Sequence, residues 1–192
     1  MDALAHPRAR GAAAKMGSRE SPDLQRLLKT LLSRELTPAI VFAFSRKECE
    51  GAAVCARDMP LLPDEQLATV RTVFEAAVAT LSTEDQGLQQ IQMMLPLLKE
   101  IVELLFQESL VRLLFATETF SMGVNMPART VVFTSLRKYD GEQFRMPTAA
   151  EYTQMSGRAG RRGIDERGMV VLCLTEEVEE AEICRRVTVE ER

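Results

Sequence analysis

Four short apolar runs, each set off by segments of helical periodicity, constrain this chain more than any other feature. They fall at residues 39–44, 112–116, 130–134 and 169–174. The first, Ala-Ile-Val-Phe-Ala-Phe, contains no polar residue, which is how a strand buried on both faces reads. Leu24, Leu27, Leu28, Leu31 and Leu32 recur at helical spacing after Ser21-Pro22-Asp23, and Pro38 closes that unit. Ser45 is placed to cap a helix through Cys49 and Val54. Beyond the breaks at Pro60 and Pro63, Asp64 opens a helix with Leu67, Val70, Phe74, Ala77 and Val78 on one face. Further helices are predicted over residues 95–106 and roughly 148–162. Strands alternating with helices predict an α/β domain, layered around a mostly parallel sheet.

The chain has 192 residues, enough for one domain with a core. Hydrophobic residues make up 46% and charged residues 27%, a globular balance. No apolar run approaches the roughly 20 residues of a membrane span, so no membrane partner is expected. The net charge of -4 argues against nucleic-acid binding by bulk positive charge; any such contact must be local. Cys49, Cys55, Cys173 and Cys184 form no C-x-x-C pair, and the single histidine is His6. Reduced thiols fit better than a zinc site, and no metal ligand is assigned. Residues 1–20, rich in Ala, Arg and Gly, read as a flexible tail, with a transit peptide as the alternative. Residues 21–175 form the domain, and 176–192 read as the truncated start of a following helical region.

Chemistry concentrates in Gln154-Met-Ser-Gly-Arg158-Ala-Gly-Arg161-Arg-Gly163. On a helix Arg158 and Arg161, three apart, share a face. Gly157, Ala159 and Gly160 keep that surface low, so a large ligand can approach. Two guanidiniums there suit a polyphosphate, each donating a fork of hydrogen bonds. Gln154, one turn earlier, adds a neutral donor and acceptor. The competing reading is a solvated basic face partly balanced by Asp165 and Glu166. The glycines among the arginines, poor helix formers, weigh against it.

These residues match the Q-x-x-G-R-x-G-R signature, motif VI, of superfamily two helicases. Residues 115–128, Phe-Ala-Thr-Glu-Thr-Phe-Ser-Met-Gly-Val-Asn-Met-Pro-Ala, resemble motif V of the Ski-two-like DExH-box RNA helicase family, and 40–45 resemble its motif IV. Residues 81–85, 137–141 and 151–157 look most like the exosome-associated, Mtr-four-like branch of that family. The resemblance covers about residues 22–175. It implies a second RecA-like domain, the helicase C-terminal half, with ATP lying between it and a first domain.

By position, the resemblance gives Arg158 and Arg161 to the β- and γ-phosphates of ATP, with Gln154 nearby. Such arginines are worth roughly 10³–10⁵ in rate. Gly123 and Asn125 would border the nucleotide. Thr117 and Thr119 would touch the RNA sugar-phosphate backbone, with Ser45 and Arg46 close to it. Taken singly, Thr117 and Thr119 could equally cap the next helix, and Gly123 and Pro127 could be turn residues. ATP and Mg2+ would be held mainly by a first RecA-like domain, in cis or in trans. RNA and RNA exosome adaptors are the implied partners. The nucleus is the implied location, with the cytoplasm as the alternative.

The sequence departs from the family in two ways. It contains no G-x-x-x-x-G-K-[ST] and no DExH box, the motifs that cradle phosphates and magnesium. Alone, the chain is therefore expected to hydrolyse no ATP. Secondly, Leu95-Pro-Leu-Leu-Lys-Glu100 serves as two family runs at once, and the glycine-rich strand with a paired-histidine turn that separates them is missing. Loss of an interior strand would leave unpaired backbone groups and a hole in the core. The near-repeat at the junction points to a spliced or mispredicted gene product, which transcript sequencing would reveal. The alternatives to a helicase half are a non-catalytic module binding RNA or a partner, and a fragment without a stable fold.

Overall fold

The computed structural model describes residues 22–79, 101–121 and 126–173. In chain order the elements are α1 (Pro22–Ser33), β1 (Ala39–Ala43), α2 (Arg46–Cys55), α3 (Asp64–Ala79), α4 (residues 101–107), β2 (Leu113–Thr117), α5 (Glu118–Ser121), β3 (Thr130–Phe133), β4 (Lys138–Tyr139), β5 (Phe144–Arg145), α6 (Ala149–Ser156) and β6 (Met169–Leu172). The four apolar runs become the four strands of one sheet in the order β2-β1-β3-β6, all parallel. Val41 stands opposite Phe115 on one side and Val132 on the other, and Val132 opposite Val171. The expected α/β fold with a mostly parallel sheet is the observed one.

β1 explains why the core has two faces. Its five residues are all buried and alternate across the pleat. Ile40 and Phe42 join Val131, Phe133, Phe106 of α4 and Met155 of α6. Ala39 and Val41 join Val132 and the buried Leu28 and Leu31 of α1. Helices thus cover both faces, as a sheet with apolar residues on each side requires. Phe42 and Phe133 lie with ring centroids 5.9 Å apart, and Tyr152 of α6 stacks on Phe133 at 5.4 Å.

One expectation here needs correction. The helix predicted over 148–162 ends at Ser156, with Gly157 as its C-cap. β6 stands last in the described sheet, and Met169 and Val170 are exposed. Among the described residues, β2, β1, β3 and β6 pair without interruption. The tail 1–20, the junction 95–100 and the segment 176–192 lie outside the described residues. One feature was not expected: β4 and β5 form a separate antiparallel hairpin, turned at Asp140-Gly141. Asp140 Oδ1 accepts from the amides of Glu142 and Gln143 at 3.0 and 2.9 Å, locking the turn.

Candidate functional site

Because all four strands run the same way, the sheet has a starting end and a finishing end, and the candidate residues divide between them. Ser45 and Arg46 follow β1, Thr117 closes β2, and Thr119 lies in α5, all at the finishing end. α6 carries the chain back toward the starting end. Eight residues at 1.5 Å each make α6 about 12 Å long. Gln154 sits exposed on α6, and Arg158 and Arg161 lie beyond its end. Gly123 and Asn125 lie outside the described residues.

Arg158 and Arg161 do not share a helical face; they share a loop. Past Gly157, Ala159 forms a parallel bridge with Ala128, just before β3. The Ala128 amide donates to the Arg158 carbonyl at 2.8 Å, and the Gly160 amide donates to the Ala128 carbonyl at 2.6 Å. Gly160 has φ +92°, outside any α-helix and open to glycine. The glycines therefore end the helix and turn the backbone, where the sequence suggested a low helical surface. The same bridge fastens this loop to the segment that leads from α5 into β3.

Asp165 closes the loop. Arg161 Nε donates to Asp165 Oδ2 at 2.8 Å and Nη2 to Oδ1 at 2.9 Å, while the Arg161 amide reaches Oδ2 at 3.0 Å. Arg129 Nε stands 3.9 Å from Oδ1. The Asp165 side chain is only 5% exposed. The hydrogen bonds from Arg161 hold its carboxyl below the usual carboxylate range, against the opposing pull of burial. A guanidinium has five N–H donors, and Asp165 engages two. Nη1 makes only a long contact, 3.4 Å, to the Ser109 hydroxyl. One edge of Arg161 therefore remains available to an oxyanion.

At the finishing end, the Ser45 hydroxyl accepts from the Glu48 amide at 3.1 Å, capping α2. The Thr117 and Thr119 hydroxyls are hydrogen-bonded to each other at 3.1 Å, presenting two adjacent oxygens. Between them in sequence is Glu118, whose carboxylate meets Lys138 Nζ at 2.8 and 2.6 Å. Lys138 Nζ also donates to Glu151 Oε1 at 2.9 Å. Glu151 in turn receives both Nη1 and Nη2 of Arg145 at 2.9 Å, and the Thr148 amide at 2.8 Å. Thr148 and Glu151 form a reciprocal capping box at the start of α6. Hydrogen bonds from Arg145, then from Lys138 and the Thr148 amide, overcome burial and hold the Glu151 carboxyl far below its ordinary value. Burial alone would lower the Lys138 ammonium, but its bonds to Glu118 and Glu151 raise it above the usual lysine value.

Sequence reasoning missed these partners. Asp165 was noticed only as a charge offset, although Arg161 and Asp165 stand at the i, i+4 spacing of a local ion pair. Lys138, Glu118 and Glu151 carry no local signal, being brought together by the fold. Among the described residues, no three His, Cys, Asp or Glu side chains are placed to hold a metal ion. Arg161 offers donors that fit phosphate oxygens, while the carboxylates of Glu118, Glu151 and Asp165 are taken up in ion pairs with Lys and Arg. No described helix is long and apolar enough to cross a membrane.

Comparison with known proteins places the chain against one family. The model of the helicase conserved C-terminal domain matches residues 23–163. The DExH-box ATP-dependent RNA helicase DExH9 of Arabidopsis thaliana is 46% identical over 177 residues, covering 84% of this chain and 18% of that protein. The ATP-dependent RNA helicase mtr4 of Schizosaccharomyces pombe is 43% identical over 185 residues, covering 88% of this chain and 17% of its own length. The exosome RNA helicase MTR4 of Homo sapiens is 44% identical over 179 residues, covering 85% and 17%. The chain thus spans less than a fifth of the length of these curated relatives.

Proposed function

Since the chain belongs to the helicase conserved C-terminal domain family, we propose that it is the second RecA-like domain of an ATP-dependent RNA helicase, working against a nucleotide-holding first domain in cis or in trans. The observation that carries this reading is the anchored arginine loop. Asp165 grips two donors of Arg161 and leaves the Nη1 edge, while the Ala128 bridge fixes the backbone between Arg158 and Gly160. A preorganised guanidinium stabilises charge developing on a transferring phosphoryl group without reorganising at the moment of reaction. Arg158 and Arg161 would donate to the β- and γ-phosphate oxygens, with Gln154, Gly123 and Asn125 beside the nucleotide. ATP and Mg2+ would be held mainly by the first domain, and the bound metal would supply electrostatic neutralisation there.

RNA would lie across the finishing end of the sheet. The paired hydroxyls of Thr117 and Thr119, together with Ser45 and Arg46, would meet sugar-phosphate oxygens, contacts that set position without reading sequence. The net charge of -4 agrees with a local contact of this kind rather than a broad basic face. The name of the human relative supports exosome-linked RNA unwinding as the setting; exosome adaptors as partners and the nucleus as the place belong to the same proposal.

The test is reconstitution. The chain is mixed with the first RecA-like domain of a relative, and ATP hydrolysis is followed with and without single-stranded RNA. RNA-stimulated hydrolysis is expected from the mixture and from neither part alone. Arg161→Ala and Arg158→Ala should each reduce it by roughly 10³ or more. No hydrolysis at any domain ratio would favour a non-catalytic module that binds RNA or a protein partner.

A further inference from the structure

We propose that Lys138 is a positioning residue that ties the Thr117–Thr119 segment to α6, so that RNA held at the finishing end of the sheet sets the placement of Gln154 and the arginine loop at the other end. This deepens, and rests on, the helicase-half reading above.

Lys138 stands between two carboxylates from different elements. Its ammonium meets both oxygens of Glu118 and one of Glu151 within 2.9 Å. Glu118 is covalently flanked by Thr117 and Thr119, so anything that moves those hydroxyls moves it. Glu151 is the residue whose carboxylate caps α6, and it does so through the Thr148 amide. Lys138 is 11% exposed, Glu118 16% and Glu151 21%. Charges so poorly hydrated are costly to separate, and a displaced Glu118 would draw the ammonium along rather than leave it. Arg145 holds Glu151 from the hairpin side, with Asp140 at 3.3 Å, and also feels the charge of Glu118. Lys138 hydrogen-bonds both carboxylates at once.

α6 is suited to transmit a small shift. It is only eight residues long, and its far end leads directly into Gly157 and Arg158. Its attachment to the core does not depend on Lys138, because Met155 is fully buried and Tyr152 stacks on Phe133. Removing the ammonium should therefore loosen the coupling between the two ends while α6 stays packed.

The experiment uses the reconstituted pair of domains, with a single-stranded oligouridine as the RNA. Lys138→Met keeps the length and apolar stem and removes the charge. Its RNA-stimulated turnover is expected to fall about tenfold, inside the usual range of coupling between two sites. RNA-free hydrolysis, the KM for ATP and the Kd for oligouridine should stay within about twofold of the parent. Lys138→Arg, which can still bridge two carboxylates, should recover most of the stimulation. An unchanged stimulation ratio in Lys138→Met overturns the proposal. So does an equal loss with and without RNA in both variants, which marks Lys138 as a rivet of the fold. If Lys138→Met melts below the assay temperature, Glu118→Gln carries the same expectation and the same two overturning results. Absence of hydrolysis in the parent mixture is a separate result: it removes the helicase-half reading, and this inference with it.

Discussion

Arg161 and Asp165 are joined by two parallel hydrogen bonds, Nε to Oδ2 at 2.8 Å and Nη2 to Oδ1 at 2.9 Å, with the Arg161 amide adding a third. This geometry makes Asp165 the orienter of the guanidinium and the clasp of the loop that bears it. Asp165→Ala is expected to lower stability by roughly 1–3 kcal/mol, because it leaves a part-buried guanidinium without its acceptor. Urea denaturation of the chain measures this, and an unchanged midpoint would contradict it. In the reconstituted pair, the same variant should lower turnover more than it raises the KM for ATP. Arg161→Lys should fail in the same way, since an ammonium cannot donate the planar fork.

Close backbone packing around that loop gives a second expectation. A Cβ at Gly168 would stand 2.4 Å from the carbonyl carbon and oxygen of Ala159 and 2.6 Å from the Gly160 nitrogen. These are backbone atoms already held by the bridge to Ala128, so neither strand can yield cheaply. Gly168→Ala should destabilise by about 2–4 kcal/mol, in the upper part of what single substitutions do. Gly51, within α2, has nothing within 4 Å of its Cβ position. Gly51→Ala should stabilise by about 0.5–1 kcal/mol through helix propensity and a less flexible unfolded chain. Thermal melts of the two variants should move in opposite directions, and a Gly168→Ala protein that melts like the parent would show the loop to be looser than described.

The Glu151 network predicts a particular pH dependence. Bonds from Arg145, Lys138 and the Thr148 amide hold the folded-state pKa of Glu151 far below its unfolded value of about 4.3. A carboxyl depressed in this way contributes stability that is fully present above the unfolded pKa and is lost as pH falls through the folded pKa. The difference between the parent and Glu151→Gln should therefore be about 2 kcal/mol and flat from pH 8 to about pH 5, then shrink below about pH 4. Lys138, shifted upward, contributes nothing to this window, because its charge is lost only in strongly alkaline solution. Denaturation curves across pH give the test; a difference that persists undiminished at about pH 3 would contradict it.

What the sequence made legible follows from how local the causes are. β1 was readable because Ala39 to Ala43 are all buried and all apolar, and no neighbour is needed to recognise such a run. The Ser45 cap was readable because its acceptor lies three residues from its donor. The end of α6 was marked by Gly157 but read through, and the bridge from Ala159 to Ala128 that fixes the loop after it lies outside any local pattern. The strand at Met169-Val-Val-Leu was legible, but its exposure was not, since that depends on standing last in the sheet order. The Asp140-Gly141 turn was written in the sequence and went unread, since only two residues on each side pair. Lys138 and Glu118 lie 20 positions apart, and only the parallel order that sets β2 and β3 on either side of β1 brings their elements to the same end.

Ser45 separates a structural role from a binding role. Its hydroxyl accepts the Glu48 amide, so Ser45→Ala should cost about 1 kcal/mol through loss of the α2 cap whether or not RNA ever touches it. Ser45→Asp distinguishes the two roles. An aspartate caps a helix as well as a serine does, and its charge favours the helix N-terminus, so stability should stay within about 0.5 kcal/mol of the parent. A phosphate backbone close to that position would be repelled, and oligouridine affinity should fall by several-fold at low salt, with the difference narrowing as salt is raised. Fluorescence anisotropy at two salt concentrations reads this directly. If Ser45→Asp binds RNA as the parent does while keeping its stability, Ser45 is a helix cap only, and the RNA path runs past Thr117 and Thr119 without it.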